Sequence, residues 1–173
     1  MSASITLATT TDIPSLLALV NAAYRGEAAR AGWTHEADLI EGAQRTDEAE
    51  LAAKIAHPDA VILKYTDADA GLQACVYLEK RGSELYLGML SVDPRQQGSG
   101  IGKRLLESAE VHARRVGCTS VVMSVISVRT ELIDWYARQG YVPTGDTEPF
   151  PEEERFGKPR QPLHFIWLRK EIN

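Results

Sequence analysis

The spacing of apolar positions changes several times along the chain, and each change marks an element. Ile13, Leu16, Leu17, Val20 and Tyr24 recur every three or four residues, the spacing of one helix face. Thr11 or Asp12 can cap that helix, and Pro14 is tolerated in its first turn. A short strand over 5–8 precedes it. Asp47 followed by Glu50 resembles a capping box, which opens a helix through Leu51 and Ile55. That helix must end near His57-Pro58, because a residue before proline leaves the helical region. From residue 60 the pattern turns to β-favouring runs at 60–65, 72–79 and 84–92, joined by turns at 67–71 and 81–83. Helical spacing returns at Ile101, Leu105, Leu106, Ala109, Ala113 and Val116, with Gly117 as its stop. A strongly apolar strand over 120–127 follows, then a helix over 129–139 closed by Gly140. Strands beginning at 141 and 163 complete the series. Residues 30–42 read as irregular or briefly helical, and 146–162 as a polar loop with four prolines.

The series amounts to a mixed α/β (α+β) domain: a mostly antiparallel central sheet of about seven strands flanked by about four helices. At 173 residues, one domain spanning 1–173 can bury a sizeable core. Hydrophobic content of 44% and charged content of 25% are ordinary for a globular chain. The net charge is −5 and no basic block stands out, which argues against a nucleic-acid partner. Mild acidity is compatible with a cationic substrate such as an amine. No leader pattern and no run of membrane-spanning length is found, so no membrane partner and a cytoplasmic location are expected. Cys75 and Cys118 sit far apart in apolar runs and read as buried free thiols, with no metal-ligand spacing.

The chemistry concentrates where the strand over 84–92 meets the helix that starts near 101. Gly98, Gly100 and Gly102 fall within five residues there, and Lys103 follows. A helix's first N–H groups lack intrahelical partners and point at whatever precedes them, and the helix dipole adds partial positive charge. Glycines admit positive φ and a close ligand, so the loop is suited to phosphate or pyrophosphate. A glycine-rich turn with no ligand is the plainer alternative. Two known phosphate loops fail residue by residue. A Walker loop would need glycine at Gln97 and Ser or Thr at Arg104. A dinucleotide fingerprint would need glycine at Lys103 or at Leu105.

The spacing that is present, Gln97-x-x-Gly100-x-Gly102 after Val92-Asp93-Pro94, resembles the acetyl-CoA loop of the GCN5-related N-acetyltransferases. Downstream, Ile133-Asp-Trp-Tyr-Ala-Arg-Gln-Gly-Tyr141 is similar to that family's second signature. The resemblance covers almost the whole chain and implies acetyl transfer from acetyl-CoA, as co-substrate, to a primary amine by direct attack in a ternary complex. Backbone N–H groups of Gln97, Gly98, Ser99, Gly100, Ile101, Gly102 and Lys103 would cradle the pyrophosphate. The backbone of Leu90, Ser91 and Val92 would pair with the pantetheine arm, at a bulge where the strand splays from 120–127. An N–H near Leu90 would polarise the thioester carbonyl.

Tyr136 would be the general acid for the thiolate; by position alone it reads as a core aromatic, and Trp135 as packing. Glu84 stands where some members carry a glutamate base, although it also reads as a solvated turn residue. His35, Glu36, Asp38 and Glu41 would help to wall the acceptor site, and the loop over 150–159 would cover it, its acidic triplet being solvated. Arg129 and Leu132 depart from the Asn and Ala common in the family. Arg129 could reach cofactor phosphate, hold an acceptor carboxylate or form a cap-region salt bridge. The acceptor stays open among small amines, amino acids, antibiotics and peptide amines, and dimers are common in the family, so a homodimer is open too. The alternative reading is an acyl-CoA-binding sensor without transfer. No metal is expected.

Overall fold

A computed structural model describes residues 3–151 and 157–172. In chain order its elements are β1 (Ala3–Leu7), α1 (Ile13–Tyr24), α2 (Gly26–Ala29), β2 (Ile40–Glu41), α3 (Glu48–Ala56), β3 (Ala60–Asp67), β4 (Gly71–Arg81) and β5 (Glu84–Val92). Then come α4 (Ile101–Arg115), β6 (Ser120–Ile126), α5 (Thr130–Arg138), β7 (Val142–Pro149), β8 (Lys158–Pro159) and β9 (His164–Glu171). Seven strands form one sheet in the order β1-β3-β4-β5-β6-β9-β7. Every neighbouring pair is antiparallel except β5 and β6, which are parallel and joined through α4. The mixed, mostly antiparallel sheet is the one the sequence predicts, with five α-helices among the described residues where about four are expected.

Helices cover both faces, and the alternation of β4 shows why all of its middle is apolar. Ala74, Val76 and Leu78 face one core, which takes Ile101, Leu105, Leu106, Ala109 and Ala113 from α4. Cys75 and Tyr77 face the other, which takes Leu16, Leu19 and Val20 from α1 and Leu51 from α3. Successive strand residues point to opposite faces, so a central strand clothed on both sides must be apolar at each position. Each buried leucine contributes roughly 1.5–3 kcal/mol.

Asp12, one of the two expected positions, is the N-cap residue of α1. A 3-10 turn over Thr10–Asp12 precedes the helix, and Asp12 Oδ2 accepts from the N–H of Thr9, the cap of that turn, at 2.8 Å. One local expectation is corrected. Residues 146–149 are not loop: β7 runs to Pro149 and pairs with β9 down to Pro149 opposite His164. Pro143 and Pro149 are tolerated because β7 is the sheet's edge, where a missing N–H need not break a ladder. The acidic triplet Glu152-Glu153-Glu154 lies outside the described residues.

Between β4 and β5 the register slips: Gly88 faces Tyr77 and Ser91 faces Cys75, so β5 carries one extra residue at Met89–Leu90. Met89 is at φ 56°, the one non-glycine residue with positive φ among the described residues. Such a bulge bends its strand and increases the twist. The parallel pairing with β6 accordingly stops early, with Glu84, Leu85 and Tyr86 opposite Ser120, Val121 and Val122. Beyond Tyr86 the two strands part, and the opening between them is where the site lies.

Candidate active site

Two cavities meet in that opening. One, of about 640 Å³, lies along the glycine loop and is lined by Leu90, Val92, Gln97, Gly98, Gly100 and Lys103, among others. Gly98 is at φ +86° and Gly100 at φ +88°, conformations that L side chains rarely adopt. Gly100 is the N-cap of α4, so the free N–H groups of the first helical turn open onto the loop. No atom lies within 4 Å of where a Cβ would stand at Gly98 or Gly100, so the cradle is open. An open run of N–H donors, a helix N-terminus and Lys103 suit a pyrophosphate, and the cavity's length beside β5 suits a pantetheine arm. Acetyl-CoA therefore fits the residues present.

The second cavity, of about 480 Å³, lies on the other side of the bulge. Tyr24, Leu90, Arg129, Leu132 and Tyr136 line both. Tyr136 is thus at the seam. Its ring is 5% exposed and packs edge-on against Trp135 and Tyr141. Its hydroxyl makes no hydrogen bond among the described residues, and burial pushes the phenol well above its ordinary value. Helix α5 is held at its far end by Tyr141, whose hydroxyl donates to Glu110 Oε2 at 3.0 Å, while Lys170 Nζ pairs with the same carboxylate.

A buried ionic network forms the wall between the cavities. Glu36 accepts from Arg25 Nε at 2.9 Å on one oxygen and from Arg129 Nη1 at 3.2 Å on the other. Arg129 also donates to the Thr34 hydroxyl at 2.6 Å. Glu36 is 6% and Arg129 4% exposed. Charges so far from water require such pairing. Their effect is to fix the irregular segment over 30–42 against the start of α5.

The expected site residues divide accordingly. Leu90, Val92, Gln97, Gly98, Gly100, Ile101, Gly102, Lys103 and Arg129 line the glycine-loop cavity. Gln97 also acts as a tie: its amide donates to the Val92 carbonyl at 3.3 Å and accepts from Thr34 N–H at 3.4 Å. Ser91 is buried with its hydroxyl on the Met89 carbonyl, and Ser99 bonds the Gln96 carbonyl; neither lines a cavity. Glu84 stands at the opposite end of β5 from the bulge, paired with Arg169, and lines neither cavity. The period-2 strand that carries it runs eight residues away from Val92, so the geometry does not bring its carboxylate to the seam. Of the four ionisable residues expected to wall the acceptor site, Glu36 alone lines a cavity. Asp38 pairs with Arg30, Glu41 is near Arg160, and His35 Nδ1 accepts from Ala37 N–H. Trp135 packs on the core and also lines the glycine-loop cavity.

Several lining residues carry no motif. Tyr24 with its neighbour Arg25, Arg45, Tyr86 and Trp167 come from four separate stretches and converge only through the fold. The placement of Tyr24 on the apolar face of α1 was the single sequence signal among them.

The profile of the acetyltransferase (GNAT) family matches residues 20–141. The chain belongs to that family, and its activity is that of an N-acetyltransferase. Solved structures agree on the fold. The ribosomal-protein-S18-alanine N-acetyltransferase from Escherichia coli aligns over 99% of this chain and 95% of its own, with TM-score 0.72 and 16% identity. PaiA N-acetyltransferase from Thermoplasma acidophilum, solved with coenzyme A, aligns over 99% and 100%, with TM-score 0.70 and 17% identity. The Salmonella typhimurium protein yncA, solved with its cofactor acetyl-CoA, aligns over 100% and 95%, with TM-score 0.70 and 17% identity. A search of curated protein sequences finds no match. No helix among the described residues is long and apolar enough to cross a membrane.

Proposed function

We propose that residues 1–173 form one domain that transfers acetyl from acetyl-CoA to a primary amine in a ternary complex, with Tyr136 as the general acid. The observation that carries this reading is the junction of two cavities at Tyr136 and Leu90, beneath the bulge that parts β5 from β6. A sensor that only bound acyl-CoA would need the first cavity and not the second.

Bound acetyl-CoA supplies the thioester carbon that the amine attacks. The chain's residues then act as follows. The α4 N-terminus, the glycine loop and Lys103 hold the pyrophosphate, which fixes the register of everything attached to it. Leu90 and Val92 offer backbone groups to the pantetheine amides. The Leu90 carbonyl accepts from Tyr24, and the Leu90 N–H is assigned to the thioester carbonyl as an oxyanion donor. As the C–N bond forms and the C–S bond breaks, the Tyr136 hydroxyl gives its proton to the departing sulfur. The proton released by the amine nitrogen returns to Tyr136 through water in the acceptor cavity. The buried phenol carries its proton at ordinary pH, so that proton is available when sulfur leaves.

Glu84 is not assigned the base, given its pairing with Arg169. Glu36 is not assigned it either, because both of its oxygens are engaged by Arg25 and Arg129. Water is the remaining proton acceptor. A thermal-shift series with acetyl-CoA, ATP and NAD tests the first half of the reading. Free-thiol release over a panel of primary amines tests the second. Stabilisation by ATP or NAD in preference to acetyl-CoA, or tight acetyl-CoA binding with no transfer to any amine, would overturn it.

A further inference from the structure

The acceptor cavity contains a cation whose side chain the fold positions and then leaves without a hydrogen-bond acceptor. Arg45 lies just before α3. Its backbone N–H and that of Thr46 both donate to Asn21 Oδ1 on α1, and Asn21 Nδ2 returns a bond to the Thr46 carbonyl. The root of the side chain is therefore clamped between two helices. Its guanidinium lies 5.2 Å from the centroid of the Tyr24 ring. The nearest carboxylate oxygen is Glu50 Oε1 at 3.9 Å, beyond hydrogen-bond distance, and that oxygen accepts from the Thr46 hydroxyl at 2.6 Å instead. Other arginines on the cavity wall are engaged: Arg25 and Arg129 on Glu36, and Arg81 on Glu79 at 2.7 Å. Arg45 keeps 29% of its side chain accessible, and its donors meet no acceptor among the described residues.

A guanidinium held this way presents a rigid fork of donors matched to a carboxylate or similar oxyanion. We propose that the acceptor is an amine carrying a carboxylate or equivalent oxyanion, which Arg45 binds. This rests on the transferase reading above. Tyr24 fixes the geometry, because its ring carries Arg45 on its face while its hydroxyl is bonded to Leu90 at the seam. The oxyanion end and the amine end of the acceptor are thus held about one tyrosine apart, the amine beside Tyr136. The apolar wall opposite, with Trp167 and the stacked pair Phe150 and Phe165, suits an apolar body between them. An amine without the oxyanion leaves the Arg45 donors without a hydrogen-bond acceptor.

The test uses the full chain with saturating acetyl-CoA and reads free-thiol release from three matched sets: amino acids, their primary amides, and the decarboxylated amines. Aminophosphonates form a fourth arm that separates carboxylate from phosphorus oxyanion. The expected kcat/KM is roughly ten- to hundred-fold higher for the oxyanion-bearing amines, the usual weight of a charged hydrogen bond. R45Q should raise KM for those amines by a similar factor and leave kcat, the KM of the amides and the KM of acetyl-CoA nearly unchanged. R45K, which keeps the charge but not the fork, should recover part of the loss. Amides or decarboxylated amines used as well as the acids by the wild-type protein would overturn the proposal while leaving transfer intact. So would an equal loss on acids and amides in R45Q. No transfer to any amine, with acetyl-CoA still bound, would instead remove the transferase reading and this proposal with it.

Discussion

Tyr24 donates its hydroxyl to the Leu90 carbonyl at 2.8 Å, across 66 positions of sequence. This bond links the end of α1 to the extra residue of the β5 bulge. Both residues line the two cavities, so the bond lies at the seam where they meet.

Removing that hydroxyl should therefore loosen the seam. Tyr24→Phe leaves a part-buried carbonyl without its partner, at a cost of about 1 kcal/mol. Chemical denaturation should show that loss, and the KM for acetyl-CoA should rise. Unchanged stability and KM would mean that the bulge holds its shape without Tyr24.

The pH dependence follows from burial. Desolvation raises the Tyr24 phenol to about 12, from an ordinary value of 10.0, and raises Tyr136 as well. A folded-state pKa above the unfolded one means that the folded protein holds its proton more tightly. Stability from this source is complete below about pH 10 and is lost as pH climbs toward 12. Unfolding free energy should therefore fall over pH 10–12, and less steeply in Tyr24→Phe. The rate should rise as the acceptor amine loses its proton and then stay flat, with no falling limb below about pH 10. A decline near pH 8 would assign the acid to another group.

The glycines of the loop should separate by conformation. Gly100 has φ +88°, so Gly100→Ala should cost about 1–2 kcal/mol and weaken acetyl-CoA. Gly102 lies in α4 at an ordinary φ, and an added Cβ would stand 3.5 Å from Trp135, an ordinary contact. Gly102→Ala should be neutral or gain about 0.5 kcal/mol, because alanine favours the helix. Calorimetric titration of acetyl-CoA into both variants checks the pair.

Glu36 should matter to folding more than its exposed neighbours. Glu36→Gln leaves Arg25 and Arg129 without their shared carboxylate, which should cost roughly 3 kcal/mol. Glu41, 58% exposed and 3.8 Å from Arg160, should tolerate the same change within about 0.5 kcal/mol. Thermal denaturation of the two variants makes the comparison.

How far the sequence carries the site depends on how local each part is. Gly98, Gly100 and Gly102 sit between a strand and a helix whose periods are plain, so the cradle was legible. Tyr136 is singled out by the resemblance rather than by its pattern, since a buried helix aromatic reads first as core; its place at the seam of two cavities comes from the fold. The distance of Glu84 from the two cavities is not legible, because its place at a strand start does not say where along the strand the bulge falls. The acceptor cavity was the least legible part. Arg25, Arg45, Tyr86 and Trp167 come from four stretches with no spacing between them, and only the sheet order brings them together. β7 was half-read as loop because its prolines look like breakers, and they are tolerated only because the strand ends up at an edge.

The central claim is that transfer occurs at Tyr136. Its most direct test is steady-state free-thiol release by Tyr136→Phe, with acetyl-CoA affinity measured on the same sample. The account predicts that kcat falls at least about ten-fold while acetyl-CoA affinity and folding stay near wild type, since a general acid contributes to the transition state alone. A variant that turns over as fast as wild type would contradict it.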